Sequence, residues 1–96
     1  MVIGLESARL LTYKAAWLQS QGKKCNVEAA IAKLVSSEVA FNAACSGMRI
    51  FAGYGYMIES DIQRLWHDAE LYIFAPISNE MTRNHLAAEL GLPRSF

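Results

Sequence analysis

Nowhere in this 96-residue chain do about 18 uncharged apolar residues run together, the least a membrane-spanning helix requires. No membrane partner is expected. Charge of one sign is equally scarce: nine Lys and Arg are cancelled by nine Asp and Glu, and no like-charge block is longer than Lys23-Lys24. Binding to phosphates needs clustered cations, so no nucleic-acid partner is expected either. The two cysteines, Cys25 and Cys45, form no CxxC pair and have no His at ligand spacing. Neither a metal site nor a disulfide framework is indicated, and a reduced, cytoplasmic chain is the expectation. The first residues, Met-Val-Ile-Gly-Leu-Glu, lack a basic stretch ahead of an apolar one, so no signal peptide is read there. With six Gly and two Pro, collagen-like and low-complexity classes are excluded as well.

What is present is a globular composition, 53% apolar and 19% charged, in a chain long enough for one domain. Leu11, Ala15 and Leu18, together with Leu10, Tyr13 and Trp17, recur in steps of three and four. That spacing predicts a helix over 3–21 with one broad apolar face, stopped by Gly22. Asn26 is a natural cap for a second helix, Glu28 suits its first turn, and the run to about residue 50 carries Ile31, Leu34, Val35, Phe41, Cys45 and Met48 inward. Ser60 with Gln63 reads as a capping box opening a helix over 61–74, ended by Pro76. Ser78 caps a last helix over 79–90, with Met81, Leu86, Ala87 and Leu90 inward and Gly91 at its end. No period-2 strand is visible. The expected fold is all-α, a four-helix up-and-down bundle. A second helix so apolar needs neighbours on several sides, which points to further structure or a partner.

The chemistry-bearing candidates are few. The turn Phe-Ala-Gly-Tyr-Gly-Tyr (51–56) has small residues that let backbone N–H groups approach a phosphate, or it is simply a helix-to-helix turn; it follows a helix rather than a strand. His67 and Asp68 are adjacent and so point to different faces, which favours a surface or interhelical polar role over acid-base work. His85 reads as surface and Cys45 as a small core side chain. Glu38 lies on the apolar stripe and needs a partner, expected to be Arg9 or Lys14 on the first helix.

The order of segments is more specific: Glu-Ser-Ala-Arg-Leu-Leu-Thr-Tyr-Lys-Ala-Ala-Trp (6–17), Ala-Lys-Leu-Val-Ser-Ser-Glu-Val-Ala (32–40), Arg-Ile-Phe-Ala-Gly-Tyr-Gly-Tyr (49–56) and Arg-Leu-Trp-His-Asp-Ala (64–69). Across essentially all of the chain this resembles the C-terminal helical domain of the flavin-dependent acyl-CoA dehydrogenases. The resemblance implies a partial domain over 1–96 that lacks the bundle's first helix. In that family the glycine turn usually reads Gln-Ile-x-Gly-Gly-x-Gly-Tyr/Phe, and its backbone packs on the adenosine and pyrophosphate of FAD held mainly by a neighbouring subunit. Here Arg49 replaces the Gln and Ala52 the first Gly, whereas Gly53, Gly55 and Tyr56 match. The family's Tyr-Glu-Gly-Thr falls on Ala75, Pro76, Ile77 and Ser78, so the catalytic glutamate position holds Pro76. Ser78 keeps the hydroxyl that meets the flavin, and Glu80 stands where some members have Gln.

The resemblance therefore implies the FAD-contacting set Arg49, Ala52, Gly53, Ser78 and Glu80, and no catalytic residue. Two functions follow as expectations. One is the last part of an acyl-CoA dehydrogenase, contributing flavin-side packing and subunit assembly, with FAD and acyl-CoA bound only by a full-length protein and no flavin retained by these residues alone. The other is a stand-alone helical interaction module derived from that domain. Both imply self-association, as a dimer or larger.

Overall fold

The computed structural model describes residues 1–93. Four long helices and one single-turn helix follow in order: α1 (Val2–Ser20), α2 (Asn26–Phe51), α3 (Gly53–Tyr56), α4 (Asp61–Phe74) and α5 (Asn79–Glu89). No strand occurs among the described residues. The all-α expectation holds, with helix bounds within a residue or two of those read from periodicity. The single turn α3 is the addition.

Two of the helix ends are glycine-made. At the end of α1, Gly22 takes φ +70°, its N–H donates to the Gln19 carbonyl and the Lys23 N–H donates to the Leu18 carbonyl. Gly91, at φ +90°, ends α5 the same way, with Leu92 N–H on the Ala87 carbonyl. Both are Schellman stops, which need a residue that tolerates positive φ. At the starts, Ser78 caps α5 as expected, its Oγ accepting from Met81 N–H at 3.2 Å. Asn26 is not a cap: it is the first helical residue of α2, after Cys25. Ser60 precedes α4 without a side-chain capping bond, so the box with Gln63 does not close. Ser60 is buried under the α3–α4 connection, where its N–H donates to Met57.

α2 is the hub. α1, α4 and α5 each pack chiefly on it rather than on one another. Small residues make these approaches possible: among the described residues the buried apolar side chains are Ala8, Ala32, Ala44 and Ala69. A Cβ built on Gly4 would lie 3.2 Å from Val39, and one on Gly47 would lie 2.7 Å from Ile62. The expected inward set of α2 (Ile31, Leu34, Val35, Phe41, Cys45 and Met48) is only half-buried, because the helix axes meet over alanine and glycine and the large side chains flank the contact. On α5, Met81 and Leu90 are exposed, Leu86 and Ala87 half-buried, and Asn79 and Thr82 buried in their place. The broad face of α1 is divided: Leu11, Ala15 and Leu18 turn to α2, whereas Leu10, Tyr13 and Trp17 are exposed. Glu38 pairs with Arg83 of α5, not with Arg9 or Lys14; Arg9 pairs with Glu6 on its own helix.

The molecule measures 46 × 32 × 20 Å with a radius of gyration of 15.7 Å. A compact chain of this length has about 13 Å. Its thinnest dimension corresponds to two helix diameters, roughly 10–12 Å each. No helix among the described residues is long and apolar enough to cross a membrane.

Candidate functional site

The first group of candidate residues sits where α2 ends. Arg49 is exposed in its last turn, and Ala52 leaves the helix at φ +52°, ψ −131°, its N–H still bonded to the Met48 carbonyl at 2.9 Å. A side chain rarely adopts this conformation, which is costless only for glycine. Gly53 follows into open space, with no heavy atom within 4 Å of a Cβ added there. Gly55 is different: its Cβ would meet Phe51, Ile62 and the Met48 carbonyl at 3.0–3.4 Å. Of the two glycines, Gly55 serves close packing of α3 against α2 and α4, and Gly53 leaves backbone accessible. That fits the requirement for backbone approach to a phosphate group.

The second group lies at the start of α5. Asn79, 1% exposed, is the best-buried side chain of the described residues. Lys33 Nζ on α2 donates to Asn79 Oδ1 and to the Ile77 carbonyl, both at 2.6 Å, and Asn79 Nδ2 donates to Ser37 Oγ at 3.0 Å. The residues on either side of Ser78 are thus tied to α2, which fixes where the Ser78 hydroxyl stands. Glu80 is exposed in the first turn of α5. A cleft of about 370 Å³ opens beside this loop, lined by Asn26, Lys33, Pro76, Ile77, Met81 and His85 among others. His85, read from sequence as surface, is half-buried in that cleft. His67 is exposed, and its neighbour Asp68 pairs with Arg64 one turn away at 3.5 Å.

The two groups do not meet. The α2 axis advances roughly 18 Å from Ser37 to Arg49 and roughly 28 Å from Lys33 to Ala52 at 1.5 Å per residue. Arg49, Ala52 and Gly53 occupy one end of α2, and Ser78 and Glu80 stand beside its other half. The Lys33–Asn79–Ser37 tie was missed by sequence reasoning. Its one signal was a lysine set among small residues, Ala29, Ser36, Ser37 and Ala40, on the side of α2 that faces α4 and α5. No group of three or more His, Cys, Asp or Glu able to hold a metal ion occurs among the described residues.

An all-α layer packed on one long helix, with an open glycine turn at one end of it and a capped helix start beside its other half, defines an all-α helical domain. The family of the acyl-CoA dehydrogenase C-terminal domain matches residues 1–91, and the chain belongs to that family. It is similar to the short-chain specific acyl-CoA dehydrogenase of Megasphaera elsdenii, 41% identical over 81 residues that cover 84% of this chain and 21% of that protein. The structure of butyryl-CoA dehydrogenase from Megasphaera elsdenii superposes with a TM-score of 0.90 at 38% identity, covering 94% of this chain and 24% of that one. PigA in its FAD complex also superposes with a TM-score of 0.90, at 27% identity, covering 96% of this chain and 24% of that one. The chain thus spans between a fifth and a quarter of the length of these relatives.

Proposed function

We propose that these residues serve as the C-terminal helical domain of an FAD-dependent acyl-CoA dehydrogenase, contributing flavin-side packing and subunit assembly. The observation that carries this reading is the division of the candidate residues between two ends of α2. Each end suits a different part of a flavin dinucleotide: the open backbone at Gly53, next to Ala52, suits the pyrophosphate side, with Arg49 beside it, and Ser78 and Glu80 suit the flavin ring side. A separation of roughly 18 to 28 Å favours two different flavins, one of them held by a neighbouring subunit. When bound, FAD supplies the acceptor for the hydride leaving the β-carbon of an acyl thioester. The chain's own part is to present the backbone N–H of Gly53 and a hydroxyl at Ser78.

Removal of the α-proton requires a carboxylate, and Pro76 cannot accept a proton. The 96 residues with added FAD are therefore expected to leave an artificial electron acceptor unreduced with any of a panel of acyl-CoAs, and Pro76→Glu alone does not restore turnover. The flavin-packing reading itself is tested by grafting this chain in place of the C-terminal domain of the Megasphaera elsdenii enzyme. A folded chimaera should keep the flavin absorbance near 450 nm, and Gly53→Asp should remove it by placing a carboxylate where the phosphates lie. A folded but colourless chimaera would overturn the reading in favour of the second one, an oligomerising helical module without flavin. That alternative is favoured by Pro76 at the glutamate position and by the large apolar surface left exposed.

A further inference from the structure

The segment that joins α4 to α5 has few contacts to hold it. Ala75 N–H closes the last turn of α4 on the Leu71 carbonyl, and the Ser78 carbonyl opens α5 by accepting from Thr82 N–H. Between them Pro76 has no N–H to donate, and Pro76 and Ile77 are exposed. Clefts of about 370 and 240 Å³ flank the segment, and Lys33 and Pro76 line both of them. Side-chain packing therefore does little to set where the segment stands.

Hydrogen bonds set it instead, and they converge on one side chain. Lys33 Nζ donates to the Ile77 carbonyl and to Asn79 Oδ1, both at 2.6 Å, and these are the residues immediately before and after Ser78. Asn79 is held in turn by Ser37, whose Oγ accepts from Asn79 Nδ2 at 3.0 Å and donates to the Leu34 carbonyl at 3.0 Å. Both lysine bonds are charge-assisted and so stronger than neutral ones. The ion pairs among the described residues are Arg9–Glu6, Arg64–Asp68 and Arg83–Glu38, none of which involves Lys33. Its ammonium is directed at the loop and not at a counter-ion.

What the two bonds bracket is the Ser78 hydroxyl. Its oxygen accepts from Met81 N–H at 3.2 Å, so the cap uses one lone pair and leaves the hydroxyl hydrogen free to donate outward. Ser78 is half-buried, which keeps that hydrogen within reach of a ligand. A hydrogen bond weakens steeply once its angle falls below about 120°. A loop released from α2 would therefore keep the hydroxyl but lose its aim.

We infer that Lys33 is a positioning residue for Ser78: by clamping Ile77 and Asn79 to the first half of α2, it sets the direction in which the Ser78 hydroxyl donates. This role rests on the proposed function for its acceptor, the flavin ring, whereas the clamp stands without it.

The chimaera of the Megasphaera elsdenii enzyme carrying this chain tests both parts, as Lys33→Met, Ser78→Ala and the double variant, with far-UV circular dichroism to check that each keeps its helices. Amide exchange at Met81, whose N–H is bonded to Ser78 Oγ, reads the clamp. The dissociation constant of FAD, followed by flavin absorbance, reads the hydrogen bond. Lys33→Met is expected to speed exchange at Met81 about tenfold while leaving the α1 amides unchanged. It should weaken FAD binding about tenfold, as Ser78→Ala does, the equivalent of one hydrogen bond. The double variant should bind no worse than the weaker single one, because both changes remove the same bond. If Lys33→Met loses its helices, Lys33→Gln, too short to reach both oxygens, takes its place with the same expectations. Unchanged exchange at Met81 would overturn the clamp. Faster exchange with FAD binding unchanged, or with losses that multiply in the double variant, would show that Lys33 does not act through Ser78 and would overturn the positioning role. Flavin binding indifferent to Ser78→Ala, or a folded chimaera without flavin, would overturn the flavin reading and the positioning role with it, with the clamp still visible in the exchange.

Discussion

Ala52 is the one non-glycine residue at positive φ among those described, and its ψ of −131° puts it where a Cβ crowds the neighbouring backbone. Ala52→Gly should relieve that crowding, offset in part by the greater freedom of an unfolded glycine. The expected net gain is about 1 kcal/mol, read as a rise of roughly 4–8 °C in Tm for a domain of this size. No gain, or a loss, would show that the turn carries no strain. Asn79 makes the opposite case. It joins a cation, a hydroxyl and the start of α5 from a site with almost no exposure. Asn79→Ala would leave the Ser37 hydroxyl and the Lys33 ammonium without that partner. The expected loss is about 2–3 kcal/mol, measured by urea denaturation. Arg83→Ala, by contrast, removes an exposed ion pair with Glu38 and should cost less than about 1 kcal/mol.

At the level of elements, the α2–α4 crossing depends on Gly47. A methyl there meets only the mobile end of Ile62. Gly47→Ala should therefore stay within about 1 kcal/mol of wild type, because better helix propensity offsets the crowding. Gly47→Leu has no such escape and should cost about 2–3 kcal/mol, again by urea denaturation. Equal costs for the two would mean that the helices do not cross closely at this point. The helices themselves were legible in the sequence because period, stop signals and first-turn charge agreed; Gly22, Gly91 and Ser78 do locally what their types suggest. Ser60 and Asn26 misled because a capping residue type is only permission to cap. Ser60 went into the interior, and Asn26 was taken into the helix. The core was misread for a related reason: hydrophobicity identifies which side of α2 is covered, but the closest points of helix packing go to the smallest residues. The tie among Lys33, Asn79 and Ser37 spans 46 positions between Lys33 and Asn79, and no local pattern encodes a contact of that kind. The two ends of the candidate site were readable one by one; their separation along α2 was not, since it depends on which stretch of the helix each loop packs against.

The whole molecule has an extended outline and an alanine-lined interior. None of its leucine, isoleucine, valine, methionine, phenylalanine, tyrosine or tryptophan side chains within residues 1–93 is fully buried. Hydrophobic stabilisation scales with apolar area removed from water, so these residues gain little from a core of this kind, and much of the possible gain lies in the apolar surface they leave exposed. If folding and pairing are linked, mass action makes the melting temperature depend on protein concentration. Each tenfold increase adds about 1.4 kcal/mol to the dimer, and a unit of two chains converts this into a Tm rise of roughly 3–5 °C. Calorimetry from low to high micromolar concentration should show that slope for the wild type. A wild-type Tm constant across the range would mean that the four long helices hold together without a partner, and that small-residue contacts around α2 stabilise the chain more than their buried area suggests.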